Sequence, residues 1–226
     1  TSGLKDIYDF SKFVKKHNII IVSINYRLGP FGWFSHPAIQ DNQTGLDKTS
    51  NFGTLDIISA LKWTKNNIDK FGGDPDNITI FGESAGGHNV LSLLVSPQAS
   101  GLFHKAISQS GYTTSISPSD AYKQTISSNT SNHTSSELVK YLLEKMPNTD
   151  DDKSNDLRKL LKNAKAKDIF KFYVDKSNQD IPLMTSDGIV IPSIGLKSAL
   201  EKNDLINNVP IILGSNRDEV KLWLGT

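Results

Sequence analysis

The sequence predicts an α/β protein built on a doubly wound, mostly parallel sheet with a helical insertion, and three features of its 226 residues predict it. Short strand-like runs recur at Ile19 to Asn25, Ile78 to Phe81, Lys105 to Ser108 and Val209 to Leu213. Stretches of helical period separate them, as right-handed β-α-β units require. Between Thr113 and Asp180 this rhythm gives way to a Ser-, Asn-, Asp- and Lys-rich stretch, which reads as a mostly helical excursion outside the sheet.

Length and composition narrow the classes. A chain of this length buries a full core and is most simply part of one domain, with residues 113–180 as the insertion. Twenty-five basic against 24 acidic residues leave a net charge of +1, which gives nucleic acid or an anionic membrane no electrostatic footprint. No stretch approaches the roughly 18 apolar residues of a membrane span. With no cysteine there is neither a disulfide framework nor a thiolate metal site. Four Asn-x-Ser/Thr matches, at Asn42, Asn77, Asn129 and Asn132, read as chance rather than glycosylation, since Asn77 heads a strand and two others lie in a Ser/Thr-rich stretch.

In chain order, Ile7, Phe10, Phe13 and Val14 recur at helical spacing and stop at His17-Asn18. Ile19 to Asn25 is apolar on both faces, the mark of a strand buried inside a parallel sheet. Asn25 to Phe34 is a turn-rich aromatic loop, in which Arg27 either pairs with a carboxylate or meets a substrate. Residues 41–51 are polar and read as a surface loop. Thr54 is a candidate cap for a helix with Leu55, Ile57, Ile58, Leu61 and Ile68 on one face, closed by Gly72-Gly73. Asp74-Pro75-Asp76 turns the chain into the next strand. In the excursion, Glu137 to Met146 and Leu157 to Leu161 are short amphipathic helices, and Asp150-Asp151-Asp152 belongs to a solvated face. Order returns at Asp187 to Pro192, before a helix through Leu196, Ala199 and Leu200. The last strand ends in Gly214-Ser215-Asn216-Arg217-Asp218-Glu219, so two carboxylates sit at the carboxyl end of a parallel strand, where open α/β sheets place their sites.

The chemistry centres on Gly82-Glu83-Ser84-Ala85-Gly86. A strand leads in through Ile78 to Phe81, and a helix leads out through Val90, Leu91, Leu93, Leu94 and Val95 until Pro97 stops it. Turning from strand to helix so abruptly strains the middle residue and crowds the backbone, so side chains at positions 82 and 86 would collide. Ser84 is left at the tip, and the Ala85 N-H, at the helix start, faces a developing oxyanion. That is a nucleophile elbow for acyl transfer. His88, one helical turn past Ser84, leans back toward the helix start, but the elbow projects Ser84 away from it, which argues against His88 as the base.

Asn25-Tyr26-Arg27, Phe71-Gly72-Gly73-Asp74-Pro75, Phe81 to Gly86, Gly101-Leu102-Phe103-His104-Lys105-Ala106, Gln109-Ser110-Gly111 and Asn216-Arg217-Asp218-Glu219 together resemble the type-B carboxylesterase family, the cholinesterase-like branch of the α/β-hydrolase fold. The six motifs fall in that family's order over nearly the whole chain. The resemblance implies hydrolysis of small-molecule carboxylic esters by a Ser-Glu-His triad, without metal or cofactor. Ser84 aligns with the nucleophile and Glu219 with the acid. Ser110 aligns with a buried serine near the acid, and Glu83 with the acidic neighbour of the nucleophile.

Two parts of the family pattern are missing. The triad histidine lies well downstream of the acid, yet the seven residues after Glu219 hold none. A His-Gly-Gly-Gly oxyanion loop should fall shortly before Thr1, with Thr1-Ser2-Gly3 as its tail. The chain also stops within the apolar Val220 to Thr226. The expectation is a fragment truncated at both ends, inactive alone. Two other readings stand beside this one: a cholinesterase-like adhesion protein without catalysis, and a hydrolase of lipid esters, carbamates or thioesters. An intact Ser84 argues against the first.

Overall fold

The computed structural model describes residues 8–122, 134–145, 156–175, 181–202, 207–219 and 221. Its α-helices run as α1 Ser11–His17, α2 Pro30–Trp33, α3 Pro37–Gln40, α4 Phe52–Asn67, α5 Ala85–Val95, α6 Pro118–Tyr122, α7 Ser135–Glu144, α8 Leu157–Asn163, α9 Ala166–Asp175 and α10 Leu196–Leu200. The strands are β1 Thr79–Glu83, β2 Lys105–Gln109 and β3 Ile211–Gly214, parallel throughout and side by side in that order. The chain divides into two compact units. One comprises Thr1–Arg27, Gly53–Thr113 and Ser198–Thr226, the other Leu28–Phe52 and Thr114–Lys197.

In the first unit α5 packs on β1 and β2. Its residues Val90, Leu91, Leu93, Leu94 and Val95 are buried, and Ile80 and Ala106 meet them from the sheet. Burial of this kind stabilises by about 1.5–3 kcal/mol per large side chain. The register pairs Glu83 with Gln109 and Gln109 with Gly214, so the three strands end level with one another. Asn207 closes the far end of α5, donating through Nδ2 to the carbonyls of Leu93 at 2.9 Å and Ser96 at 3.1 Å.

Several expectations change in detail. Residues 19–25 form no ladder among the described residues, and Ile19, Ile20 and Val22 are exposed. Apolar residues alone make no strand, because a strand needs a hydrogen-bonding partner along its edge. In β1 only Ile80 is buried, while Phe81 is exposed with the Phe10 ring edge-on at 5.9 Å. Every residue of β3 is likewise exposed. α4 starts at Phe52, which puts Thr54 inside the helix and not at its cap. Helix α1 ends at Asn18 in a left-handed conformation, as its polar end suggests; Ile7 lies outside the described residues.

The second unit gathers Leu138, Val139, Leu142, Leu161, Phe172 and Tyr173 into a core. Helices α7 and α8 start within two residues of their expected positions, whereas α9, which supplies Phe172 and Tyr173, was not foreseen. Met146, Asp150, Asp151 and Asp152 lie outside the described residues. Residues 49–51, expected in a surface loop, are buried. Polar groups are tolerated there because each finds a partner. Asn51 exchanges hydrogen bonds with the Thr185 backbone at 2.8 and 3.0 Å, Ser50 bonds the Thr185 hydroxyl at 2.5 Å, and Thr49 donates to Asp187.

Candidate active site

Ser84 stands between β1 and α5 at φ 56°, ψ −116°. A serine pays about 1–3 kcal/mol to hold such a conformation and keeps it only where the surroundings impose it. They do so here through backbone contacts. The Ser84 N-H donates to the Gln109 carbonyl at 2.9 Å, and the His88 N-H donates to the Ser84 carbonyl at 2.9 Å. A Cβ on Gly82 would fall 2.4 Å from the carbonyl carbon of Gly86. At Gly86 itself a Cβ would meet nothing within 4 Å, so the expected collision is one-sided: position 82 needs glycine for space, position 86 does not.

The sequence reading missed a second close approach. A Cβ on Gly87 would lie 2.7 Å from the Gln109 carbonyl oxygen, and one on Gly111 would lie 2.4 Å from Ser108 Oγ and 2.8 Å from the Gly87 carbonyl carbon. α5 therefore rests directly on the exit of β2. Only the adjacent Gly86-Gly87 pair hinted at it.

Ala85 is the first residue of α5, where an N-H has no acceptor within the helix. Glu83 ends β1 with an exposed side chain, for which no hydrogen bond or ion pair is seen among the described residues. Ser110 follows β2 at φ 51°, its N-H donating to the Gly214 carbonyl at 2.7 Å.

Glu219 lies just beyond β3. Hydrogen bonds from the Ser110 hydroxyl and then from Asn216 hold its carboxyl below the usual range. The Asn216 Nδ2 donates to Glu219 Oε2 at 2.9 Å. Ser110 and Glu219 are near each other, and Asn216 joins them unforeseen. Its signal was its place three residues before an acid on a strand-end loop. Ser84 directly follows β1, and Glu219 lies five residues beyond β3, with β2 between these two strands among the described residues.

The four described histidines are engaged elsewhere. His88 is buried on α5, where its Nδ1 lies 2.7 Å from the Tyr112 carbonyl and its ring stacks on the Tyr112 ring at 4.2 Å. Burial pulls its pKa down. His104 Nδ1 accepts from the Ile78 N-H at 3.1 Å, His36 Nδ1 accepts from the Ala38 N-H at 3.1 Å, and His17 packs on Phe13 at the end of α1. Arg27 follows the ion-pair reading, with Nε and Nη2 on the two carboxylate oxygens of Asp56 at 2.8 and 2.7 Å. Tyr26 accepts from Asn89 Nδ2 at 2.9 Å, which ties its segment to α5. Among the described residues no helix is long and apolar enough to cross a membrane, and no cluster of three or more His, Asp or Glu could hold a metal ion.

Comparison with known proteins yields concordant matches. A profile described as the Carboxylesterase family matches residues 1–226. The chain is 36% identical over 227 aligned residues to Carboxylesterase 1E of Rattus norvegicus, covering 96% of this chain and 37% of that protein. It is 47% identical over 110 residues to Para-nitrobenzyl esterase of Bacillus subtilis (strain 168), covering 49% of this chain and 22% of that protein. Among solved structures, a PNB esterase superposes with a TM-score of 0.76 at 29% identity, over 99% of this chain and 44% of that one. A carboxylesterase of Geobacillus stearothermophilus gives 0.74 at 32% identity, over 99% and 42%. The chain therefore spans well under half the length of these relatives, and its fold is that of their α/β-hydrolase domain.

Proposed function

This chain belongs to the carboxylesterase family, and from that premise we propose that the whole protein hydrolyses carboxylic esters through an acyl-enzyme on Ser84. The observation that carries the reading is the alignment of strand ends. A serine with strained backbone directly follows β1, and a carboxylate fastened by Asn216 follows β3, two strands whose carboxyl ends are level.

In the proposed mechanism Ser84 Oγ attacks the ester carbonyl carbon while a histidine Nε2 takes its proton. The tetrahedral oxyanion is stabilised in part by the Ala85 N-H. The imidazolium gives its proton to the leaving alcohol, and water, activated by the same imidazole, then releases the acid. Glu219 accepts a hydrogen bond from Nδ1-H, which sets the tautomer and stabilises the charged ring. Its carboxyl is suited to this, since hydrogen bonds from Ser110 and Asn216 keep it ionised. Glu83 is assigned to the wall of the site, where its charge meets the histidine or a cationic substrate group.

None of the described histidines is placed to be the base, so we assign that role to a residue outside them. The 226-residue chain alone is expected to lack turnover, because loss of the base costs on the order of a millionfold in kcat. The test follows p-nitrophenyl acetate hydrolysis by the whole protein and by its Ser84→Ala and Glu219→Gln variants. Loss of activity in the first and a drop of about ten-thousandfold in the second are expected. Activity that survives Ser84→Ala would refute the assignment.

A further inference from the structure

The loop leaving β2 must hold Ser110 at φ 51°, a left-handed conformation uncommon for serine. Much of what holds it comes from α5. Gly111 is packed on Gly87, and the Ser108 hydroxyl donates to the Gly87 carbonyl at 3.1 Å. Contact between two glycines resists compression and offers little against separation. Beyond Ser110 an attractive interaction also ties the loop to α5, and His88 supplies it. Its Nδ1 is 2.7 Å from the Tyr112 carbonyl, and its ring lies on the Tyr112 ring at an interplanar angle of 11°. A carbonyl only accepts, so this bond makes Nδ1 the protonated nitrogen. With 7% of its surface exposed, His88 has little water to replace that partner.

We propose that His88 is a positioning residue which, by holding Tyr112 against α5, fixes the backbone of Ser110 and through it the Glu219 carboxylate relative to Ser84. The inference rests on the proposed triad and adds to it a mechanical link between the helix of the nucleophile and the support of the acid. The sequence argued only against His88 as the base; its contacts with Tyr112 suggest a different role. Among the described residues the ionisable side chain stacked on His88 is Tyr112, whose own pKa is raised by burial and which in turn adds to the rise that burial causes at Tyr26.

The test uses the whole protein. His88→Asn retains an N-H close to the position of Nδ1, whereas His88→Leu removes it. For the Leu variant the expected result is a fall in kcat of about tenfold to a hundredfold with KM within about twofold. The acidic limb of its pH profile should move to lower pH by about half a unit, because a loosened carboxylate supports the imidazolium less. The Asn variant should restore both. A Leu variant with unchanged kcat and an unmoved limb overturns the inference, as do two variants equally slow with unmoved limbs, since damaged folding explains that pattern. Should the Leu variant fail to fold, His88→Ser is judged by the same criteria. Ser84→Ala and Glu219→Gln are run alongside. If either keeps full activity, the triad reading has failed; if both lose it, a null result at His88 counts against this inference alone.

Discussion

At the elbow the chain bends by pressing backbone against backbone, with Gly82 against Gly86 and Gly87 against Gly111, and the space left is smaller than a methyl group. At Asp187, in the other unit, a side chain holds the bend instead. The Asp187 Oδ1 accepts from the N-H groups of Ile189, Val190 and Ile191 at 3.0, 2.9 and 3.1 Å, while Thr49 donates to Oδ2. The first device tolerates almost no added volume but uses no charge. The second depends on the acceptors of one carboxylate. This difference sorts the mutations that each region should survive.

The largest effect is expected where added atoms meet backbone. Gly82→Val should destabilise the protein by about 3 kcal/mol or more, since overpacking here cannot be relieved by rotating a side chain; urea denaturation of the whole protein measures it. A loss under about 0.5 kcal/mol would break the comparison, because the elbow would then have room. Asp187→Ala should cost about 2–4 kcal/mol by leaving buried donors unpaired. Asp187→Asn, which keeps an acceptor for them, should recover more than half, and equal losses in the two variants would show that acceptors are not what holds the turn.

The elbow was legible in the sequence and the Asp187 turn was not, for a physical reason. A glycine required for space leaves its mark within five residues, and Gly82 to Gly86 sits between a β-branched strand and an apolar helix. The network of Thr49, Ser50 and Asn51 with Thr185 and Asp187 joins residues more than 130 positions apart. Polar residues whose partners lie so far away look like a surface loop until the fold is known. The contact of Gly87 with Gly111 was hidden likewise, as was the bond between His88 and Tyr112. For residues 19–25 the error ran the other way, since apolar composition suggested a ladder that they do not form among the described residues. In the candidate site, Ser84, Ser110 and Glu219 emerged from motifs, whereas Asn216, although part of the same motif as Glu219, revealed its bond to that carboxylate only in the structure.

Smaller effects sharpen the contrast through pH. His88 beside the elbow and His36 in the other unit both have pKa values lowered chiefly by burial. Below about pH 6.5 the unfolded chain therefore binds protons that the folded chain resists. Stability is full above that pH and declines as pH falls through it, until the folded histidines also protonate. Replacing His88 by Asn should flatten the part of this decline that belongs to the elbow, and thermal unfolding between pH 5 and 8 tests it. An unchanged slope would assign the decline to other groups. The smallest effect is expected at Arg27. Although bidentate, its pair with Asp56 is half-exposed on the arginine side, so Arg27→Ala should cost no more than about 1 kcal/mol in the same denaturation measurement.

The most direct measurement is covalent labelling of the whole protein with a fluorophosphonate, followed by peptide mapping. One adduct is predicted, on the Ser84 hydroxyl, forming far more slowly in Glu219→Gln and absent in Ser84→Ala. An adduct on another residue, or equal labelling rates with and without the Glu219 carboxylate, would contradict the account of one site shared by the ends of β1 and β3.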